Sequence, residues 1–394
     1  MLEIKDKKNC SGCSACCSIC PVNAIEMIED NEGFVYPIIE QEKCTKCGLC
    51  KKICPCINDK ENKNTSKPQV LAAWSLDNKN KEQSSSGGCF YELAKYILKK
   101  NGCVAGAGFD EKLNIVHKII DDEENLIELK GSKYVQSNIG DTYIKVKEAL
   151  KNEKMVLFVG TPCQVAGLYS FLQYIEYDNL YTADLICHGV PSPKVYRKYL
   201  DELSNKYNSK PNKVNFRSKI SGWKKYSMQI DFDNSQTYVK SSNEDIFMRG
   251  FLKNIYLRPS CHACKFAKIP RIADITLGDF WGIGEKDSRL DDDTGTSELI
   301  INSEKGKKIL NEVKENLYLE EIDLEYGIKV NPCLVGSAKK SLQREKFFKE
   351  LDKKSFEKLS EKYIIKEELF KKIYILILNI LSKIKRKLIK LIKR

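Results

Sequence analysis

The chain has 394 residues, with 66 Lys and Arg against 54 Asp and Glu, 17 Cys, three His and a formal net charge of +12. The excess sits at one end: residues 371–394 hold nine Lys or Arg and no Asp or Glu, which leaves about +3 for the rest. A near-neutral body argues against nucleic-acid binding by the main fold, and the length suits two or three domains.

The start, Met1-Leu2-Glu3-Ile4-Lys5-Asp6, is charged and lacks the apolar stretch of a secretory signal. Cysteines then dominate. Cys10, Cys13, Cys16 and Cys20 precede Pro21, and Cys44, Cys47, Cys50 and Cys54 precede Pro55. Each set reads C-x2-C-x2-C-x3-C-P, the spacing of bacterial two-cluster ferredoxins. Short gaps let one loop aim three thiolates at one [4Fe–4S] cube, while the fourth cysteine reaches the other cube. Cluster one is therefore expected on Cys10, Cys13, Cys16 and Cys54, and cluster two on Cys44, Cys47, Cys50 and Cys20. The proline after each fourth cysteine prevents continuation as helix. Zinc knuckles and a disulfide framework are the competing readings, but zinc sites use two pairs of ligands rather than a doubled quartet. Cys17 and Cys56 are surplus to both sets. Thiols kept for metal imply a reducing cytoplasm. Residues 33–39 read as a short strand after a turn.

Residues 1–57 thus form a two-cluster ferredoxin-like domain, and the polar stretch 58–68 reads as a linker. A mixed-sheet α/β region follows, giving an α+β or α/β chain overall. Strands are expected at Val70–Trp74, Cys103–Phe109, Asn114–Ile120, Met155–Gly160 and Leu180–Cys187, with a helix from Phe90 to Lys99. Gly106-Ala107-Gly108 lacks the third glycine of a dinucleotide fingerprint and reads as a strand bend. From about 210 to 330 the pattern is less regular, with short strands near Val214, Met228 and Ile275.

Four further cysteines have unusual settings. Cys163 follows a buried strand in Gly160-Thr161-Pro162-Cys163-Gln164, and Cys187 ends another in Leu185-Ile186-Cys187-His188-Gly189. Cys261 and Cys264 form a C-x2-C. Two strand ends and one such pair can bring four thiolates to one sheet edge for a third cube, at the strand termini where α/β proteins bind ligands. Unrelated buried cysteines beside a zinc-type pair are the alternative on spacing alone.

Residues 69–335 resemble the beta subunit of coenzyme F420 hydrogenase/dehydrogenase, as a 69–150 N-terminal-type and a 151–335 C-terminal-type domain. The resemblance is carried by Ser84-Ser85-Ser86-Gly87-Gly88, Lys130-Gly131-Ser132-Lys133-Tyr134-Val135-Gln136-Ser137, Gly160–Leu168, Cys187-His188-Gly189-Val190-Pro191-Ser192, Cys261-His262-Ala263-Cys264 and Ala273–Gly282. It implies an α/β fold holding FAD and a [4Fe–4S] cluster on Cys163, Cys187, Cys261 and Cys264, with coenzyme F420 a candidate electron partner. A fused two-cluster ferredoxin occurs in this family. Its members include reductases of chlorophyll-type substrates and proteins associated with surface-polysaccharide synthesis, so it leaves the substrate open.

Ser85, Ser86, Gly87 and Gly88 precede an apolar helix; glycines let amides approach phosphate, and a helix start adds a positive dipole end. A flexible serine linker is the plainer reading of the same residues. Lys133 and Ser137 offer a charge and a hydroxyl, and Gly160, Thr161 and Pro162 suit the ring end of a flavin. His188 and His262 flank cluster-candidate cysteines and can donate to sulfur; simple packing is the plainer reading. Asp279 reads as a turn residue, with a pocket role as the alternative. No catalytic acid or base is assigned. The expected activity is an iron–sulfur flavoprotein oxidoreductase with a redox protein or small-molecule partner; a non-catalytic electron-transfer subunit is the other reading.

Residues 336–394 read as a helical tail. The apolar run 373–381 is far short of the ~20 residues that span a bilayer. Leu381, Ile384, Leu388 and Leu391 follow helical spacing with lysines between, the pattern of an in-plane helix on anionic lipid. A helix docked on the body is the alternative. The expected location is cytoplasmic, with peripheral contact to the inner membrane face through this tail.

Overall fold

The computed structural model describes residues 3–4, 6–58, 64 and 67–365. Strands β1 (Ile25–Glu29) and β2 (Val35–Ile39) pair antiparallel, Ile25 opposite Ile39. Asp30 makes their turn: its Oδ1 accepts from the amides of Glu32 and Phe34, and Gly33 takes a φ of +87°. Two one-turn helices, Ala15–Ser18 and Leu49–Lys52, carry cysteines of the two sets, and each is entered through a left-handed residue, Ser14 and Gly48. The duplicated sequence thus folds as a duplicated structure.

The body holds β3 (Gln69–Ser75), β4 (Cys103–Phe109), β5 (Ile115–Ile120), β6 (Val156–Gly160), β7 (Leu180–Leu185), β8 (Pro211–Ser218), β9 (Ser227–Phe232), β10 (Thr237–Ser241), β11 (Ile275–Asp279), β12 (Ser297–Ile301) and β13 (Leu317–Ile322). Eight of these form one mixed sheet in the order β13-β3-β12-β11-β7-β6-β4-β5, while β8, β9 and β10 form a separate antiparallel sheet. Of the short strands expected after residue 210, Val214 and Met228 lie in the small sheet and Ile275 in the large one.

In the large sheet β4, β6, β7 and β11 run parallel. Strand β3 points the same way, because it opposes β12 and β12 opposes β11. The carboxyl ends of β3, β11, β7, β6 and β4 therefore share one edge. Every residue of β6 is buried, as befits a central strand covered on both faces. Helices Cys89–Lys99 and Glu304–Val313 cover one face through Leu93, Ile97, Ile309 and Val313. Helices Thr142–Lys151 and Pro162–Phe171 cover the other through Tyr143, Val146, Val165 and Leu168. Cys13, Ala15 and Ile53 join that second core, so the ferredoxin-like region packs on this face. Arg344 to Glu32 and Arg197 to Glu29 add ion pairs between hairpin and body.

The chain is thus a mixed α/β fold with an N-terminal ferredoxin-like region. Among the described residues no helix is long and apolar enough to cross a membrane. The basic run 371–394, with its proposed in-plane helix, lies outside the described residues.

Candidate functional site

The first eight cysteines line two hollows. Cys20, Cys44, Cys47 and Cys50 share one with Ile25, Ile39 and Leu49. Cys10, Cys13, Cys16 and Cys54 share another with Met27, Pro37 and Cys56. The fourth cysteine of each set faces the other set's hollow. Cys56, surplus by spacing, donates to Ser11 Oγ across 3.4 Å and contacts Cys54.

The donor chemistry fits iron–sulfur cores. Burial, then the neighbouring Cys10 and Cys17, push the Cys16 thiol up to about 12. Bare thiolates crowded there would repel one another, and a cationic iron core removes that conflict. Among the described residues no three His, Cys, Asp or Glu side chains close on a single-ion site. The Ala24 amide also donates to Cys20 Sγ at 3.2 Å, a contact that would tune the potential of a cluster held there.

The second constellation forms at the carboxyl edge of the sheet. Thr161 follows β6 and caps helix Pro162–Phe171: its amide and its hydroxyl both donate to Gln164 Oε1, each at 3.0 Å. This cap fixes Cys163 in the first turn, with Thr161 Oγ1 3.1 Å from its sulfur. Cys187 follows the end of β7, and the 3₁₀ turn Pro259–Ala263 presents Cys261 just before Cys264. Burial raises the Cys187 thiol, reinforced by Cys261, Cys163 and Cys264. Cys163 is pushed up to about 12 by burial, then by Cys264. The four thiols are thus close enough to repel one another.

Cys333 joins them, a residue that sequence reasoning missed. Its Sγ lies 3.8 Å from His188 Nδ1, and it is near enough to Cys264 to feel its charge. His188 Nε2 meets Asn254 Oδ1 at 2.6 Å, and His262 Nδ1 meets the Ala338 carbonyl at 3.0 Å. Neither histidine is bonded to the sulfur of its flanking cysteine.

The two cysteine regions abut. A Cβ on Gly167 would lie 2.9 Å from Cys13 Cβ and 3.2 Å from its sulfur. The helix that carries Cys163 in its first turn therefore lies directly on the first cysteine loop, and only a glycine permits that approach.

Farther along the same edge, residues 84–88 follow the short helix Asn78–Gln83 beyond β3. The Gly88 φ of +86° starts helix Cys89–Lys99. Gly87 donates to Ser297 Oγ at 3.0 Å, so its amide is spent within the fold. Ser85 Oγ accepts from the Ser132 amide and Ser86 Oγ donates to the Thr296 carbonyl. Beneath the loop, Lys219 Nζ donates to the carbonyls of Lys81 and Ser86, each at 2.8 Å. Burial lowers this ammonium to about 7, and Arg217 adds to the effect.

Asp279 is no mere turn residue. Ending β11, it accepts a two-pronged bond from the buried Arg217 at 2.7 and 3.0 Å, and a third bond from Trp223 Nε1. Trp223 stacks on Trp281 with centroids 4.9 Å apart, and the guanidinium sits 4.1 Å from the Tyr226 ring.

Lys133 donates to the carbonyls of Glu128 and Lys130, and burial lowers it to about 7. Ser137 bonds His117 Nδ1 and Gln164 Nε2. Both residues therefore brace the fold. Burial brings His117 down to about 4, so it is a neutral part of that network. A separate cavity of about 270 Å³, lined by Tyr169, Tyr177, Leu180 and Phe266 among others, lies at the amino end of β7, the opposite edge.

Residues 9–58 match the 4Fe-4S dicluster domain, and residues 153–327 match the C terminus of the coenzyme F420 hydrogenase/dehydrogenase beta subunit. This chain joins those two domains. It is an iron–sulfur electron-transfer protein related to that beta subunit. A chain of the F420-reducing [NiFe] hydrogenase complex from Methanosarcina barkeri is similar at 18% identity and a TM-score of 0.48, covering 68% of this chain and 88% of its own length. No curated protein matches the sequence.

Proposed function

We propose that the chain is an iron–sulfur flavoprotein oxidoreductase carrying electrons through three [4Fe–4S] clusters between FAD and a redox partner or substrate. The observation that carries this reading is the order of groups along the carboxyl edge. The loop 84–88 lies at β3 and β12, the Arg217–Asp279 pair and stacked tryptophans at β11, Cys187 at β7 and Cys163 at β6. An anion end, an aromatic platform and a set of thiols follow one another in the direction electrons would take. FAD supplies the exchange between electron pairs and single electrons.

The amides of Ser85, Ser86 and Gly88, at the start of an 11-residue helix, suit the pyrophosphate. Lys219 sits under the same loop and adds positive charge. Gly160, Thr161 and Pro162 bound the end next to Cys163. Lys133 and Ser137 act one layer out, holding the segment 132–137 that bonds Ser85, Arg217 and Gln164 in turn.

The domain limits 1–57, 69–150 and 151–335 are part of this proposal, as are coenzyme F420 as electron partner and a role in surface-polysaccharide metabolism. A relay subunit without its own substrate is the second reading; the position of the 270 Å³ cavity, away from the edge that holds the thiols, favours it. Anaerobic purification with iron, sulfide and flavin quantitation tests the main reading. About twelve iron and one FAD per chain are expected from three cubes. About eight iron without flavin would remove the third cluster and the flavin together. Liposome co-sedimentation of the full chain and of residues 1–370 tests the tail; equal partitioning would discard the membrane role.

A further inference from the structure

Arg258 is almost completely buried, at 1% exposure, and among the described residues no carboxylate pairs with it. A buried guanidinium without a countercharge is costly. Its bonds show where the countercharge belongs. Nε donates to the Cys10 carbonyl at 2.9 Å, Nη1 to Gln136 Oε1 at 2.9 Å, and Nη2 to the Val35 carbonyl at 2.9 Å and Cys10 Sγ at 3.7 Å. The ring of Tyr36 lies 4.4 Å from the guanidinium carbon. The main chain of Arg258 meanwhile belongs to the third cysteine set: its amide donates to Val190, and its carbonyl accepts from the Cys261 amide. One residue thus touches both cysteine regions.

The internal duplication supplies a control. Gly12 and Lys46 hold equivalent places in their cysteine loops, and both are left-handed, at φ +69° and +58°. Lys46 shows that this backbone tolerates a side chain. Glycine at 12 meets a different need: a Cβ there would lie 2.8 Å from Arg258 Nη1. Lys46 and Cys47 are exposed, so the second hollow has no comparable enclosed cation at this point.

We propose that Arg258 is a potential-tuning residue whose buried guanidinium, held against the Cys10 sulfur, makes cluster one easier to reduce than cluster two. This rests on the assignment of Cys10, Cys13, Cys16 and Cys54 as ligands. A fixed positive charge stabilises the reduced, more negative state of a cluster more than the oxidised one, and donation to sulfur acts in the same direction. Cluster one then serves as the electron well between cluster two and the third set.

The test is an anaerobic redox titration of the whole chain followed by electron paramagnetic resonance. The cluster-one signal is identified as the one missing from Cys13→Ser. In Arg258→Gln its ratio of reduced to oxidised form at a fixed potential should fall about tenfold, or about 59 mV for one electron. Arg258→Lys should recover part of the loss, and cluster two should not move. If Arg258→Gln loses iron, Gln136→Leu carries the test. It keeps the charge and frees one guanidinium N–H to turn toward the cluster, so a smaller shift of the opposite sign is expected. Full iron with unchanged potentials in whichever of these variants holds its clusters overturns the tuning role alone. A wild-type chain without iron overturns the ligand assignment beneath it.

Discussion

The dicluster domain and the sheet edge gather thiols by different means. In the first, every ligand candidate lies between Cys10 and Cys54, and two copies of one loop with left-handed entries at Ser14 and Gly48 aim them. In the second, Cys163, Cys187 and the Cys261–Cys264 pair meet only because β6 and β7 end at one edge of an eight-stranded sheet and the turn Pro259–Ala263 packs against the chain beyond β7. A loop site carries its geometry in its spacing. An edge site borrows its geometry from the sheet, so damage to the sheet should strip it while sparing the loops.

Removal of one thiol gives the largest effect and the baseline for that contrast. Cys187→Ser should lower iron from about twelve to about eight per chain and leave the resonance signals of the dicluster domain in place. A loss of all iron would mean that the two regions do not assemble separately. Arg271→Met then attacks the sheet without touching a thiol. Arg271 Nη2 lies 3.1 Å from Asp184 Oδ1 and 2.9 Å from the Leu185 carbonyl, both groups at the end of β7. Asp184 is fully buried, and its pKa is raised by that burial. Leaving it without its cation should cost ~3–5 kcal/mol, read from the denaturant midpoint. The third cluster should be lost first, because Cys187 is three residues on.

The same contrast explains what the sequence made legible. Loop spacing sorts eight cysteines without a structure, and the buried run Met155–Gly160 announces β6. Strand β7 stops at Leu185, short of the expected Cys187, because the chain leaves the sheet there to present the thiol. The antiparallel sheet of β8 to β10 reads poorly because its pairing is irregular between Asn215 and Ser218 and its faces are half exposed. The Arg217–Asp279–Trp223 group and the Arg258 contacts join residues from unrelated elements. No local pattern marks such partners, and Asp279 looks like a turn residue until Arg217 is beside it. Cys333 is hidden for the same reason.

A smaller effect tests the seam between the regions. Gly167→Ala gains up to about 1 kcal/mol of helix propensity. It also drives a methyl to 2.6 Å from Tyr143 Oη and 2.9 Å from Cys13 Cβ, and overpacking of this kind costs ~1–3 kcal/mol. The net change should be destabilising. Its spectroscopic signature should appear in cluster one, although Gly167 belongs to the sheet domain. A change confined to the third cluster would show that the seam does not couple them.

Lys219 gives the mildest test, one of pH. Burial depresses it to about 7, below the ordinary lysine value of 10.5. Between those values the unfolded chain binds a proton that the folded chain does not, so this residue lets stability rise with pH from about 7 upward. Binding of an anion at the loop 84–88 should run the other way. A pyrophosphate held there favours the ammonium, so binding takes up a proton, and affinity for FAD should fall as pH rises through 7. Fluorescence titration of the flavin-depleted chain should show several-fold weaker binding at pH 9 than at pH 6, with a flatter profile in Lys219→Met. An equal pH dependence in both proteins would move the phosphates away from this loop, and with them the order of groups along the sheet edge.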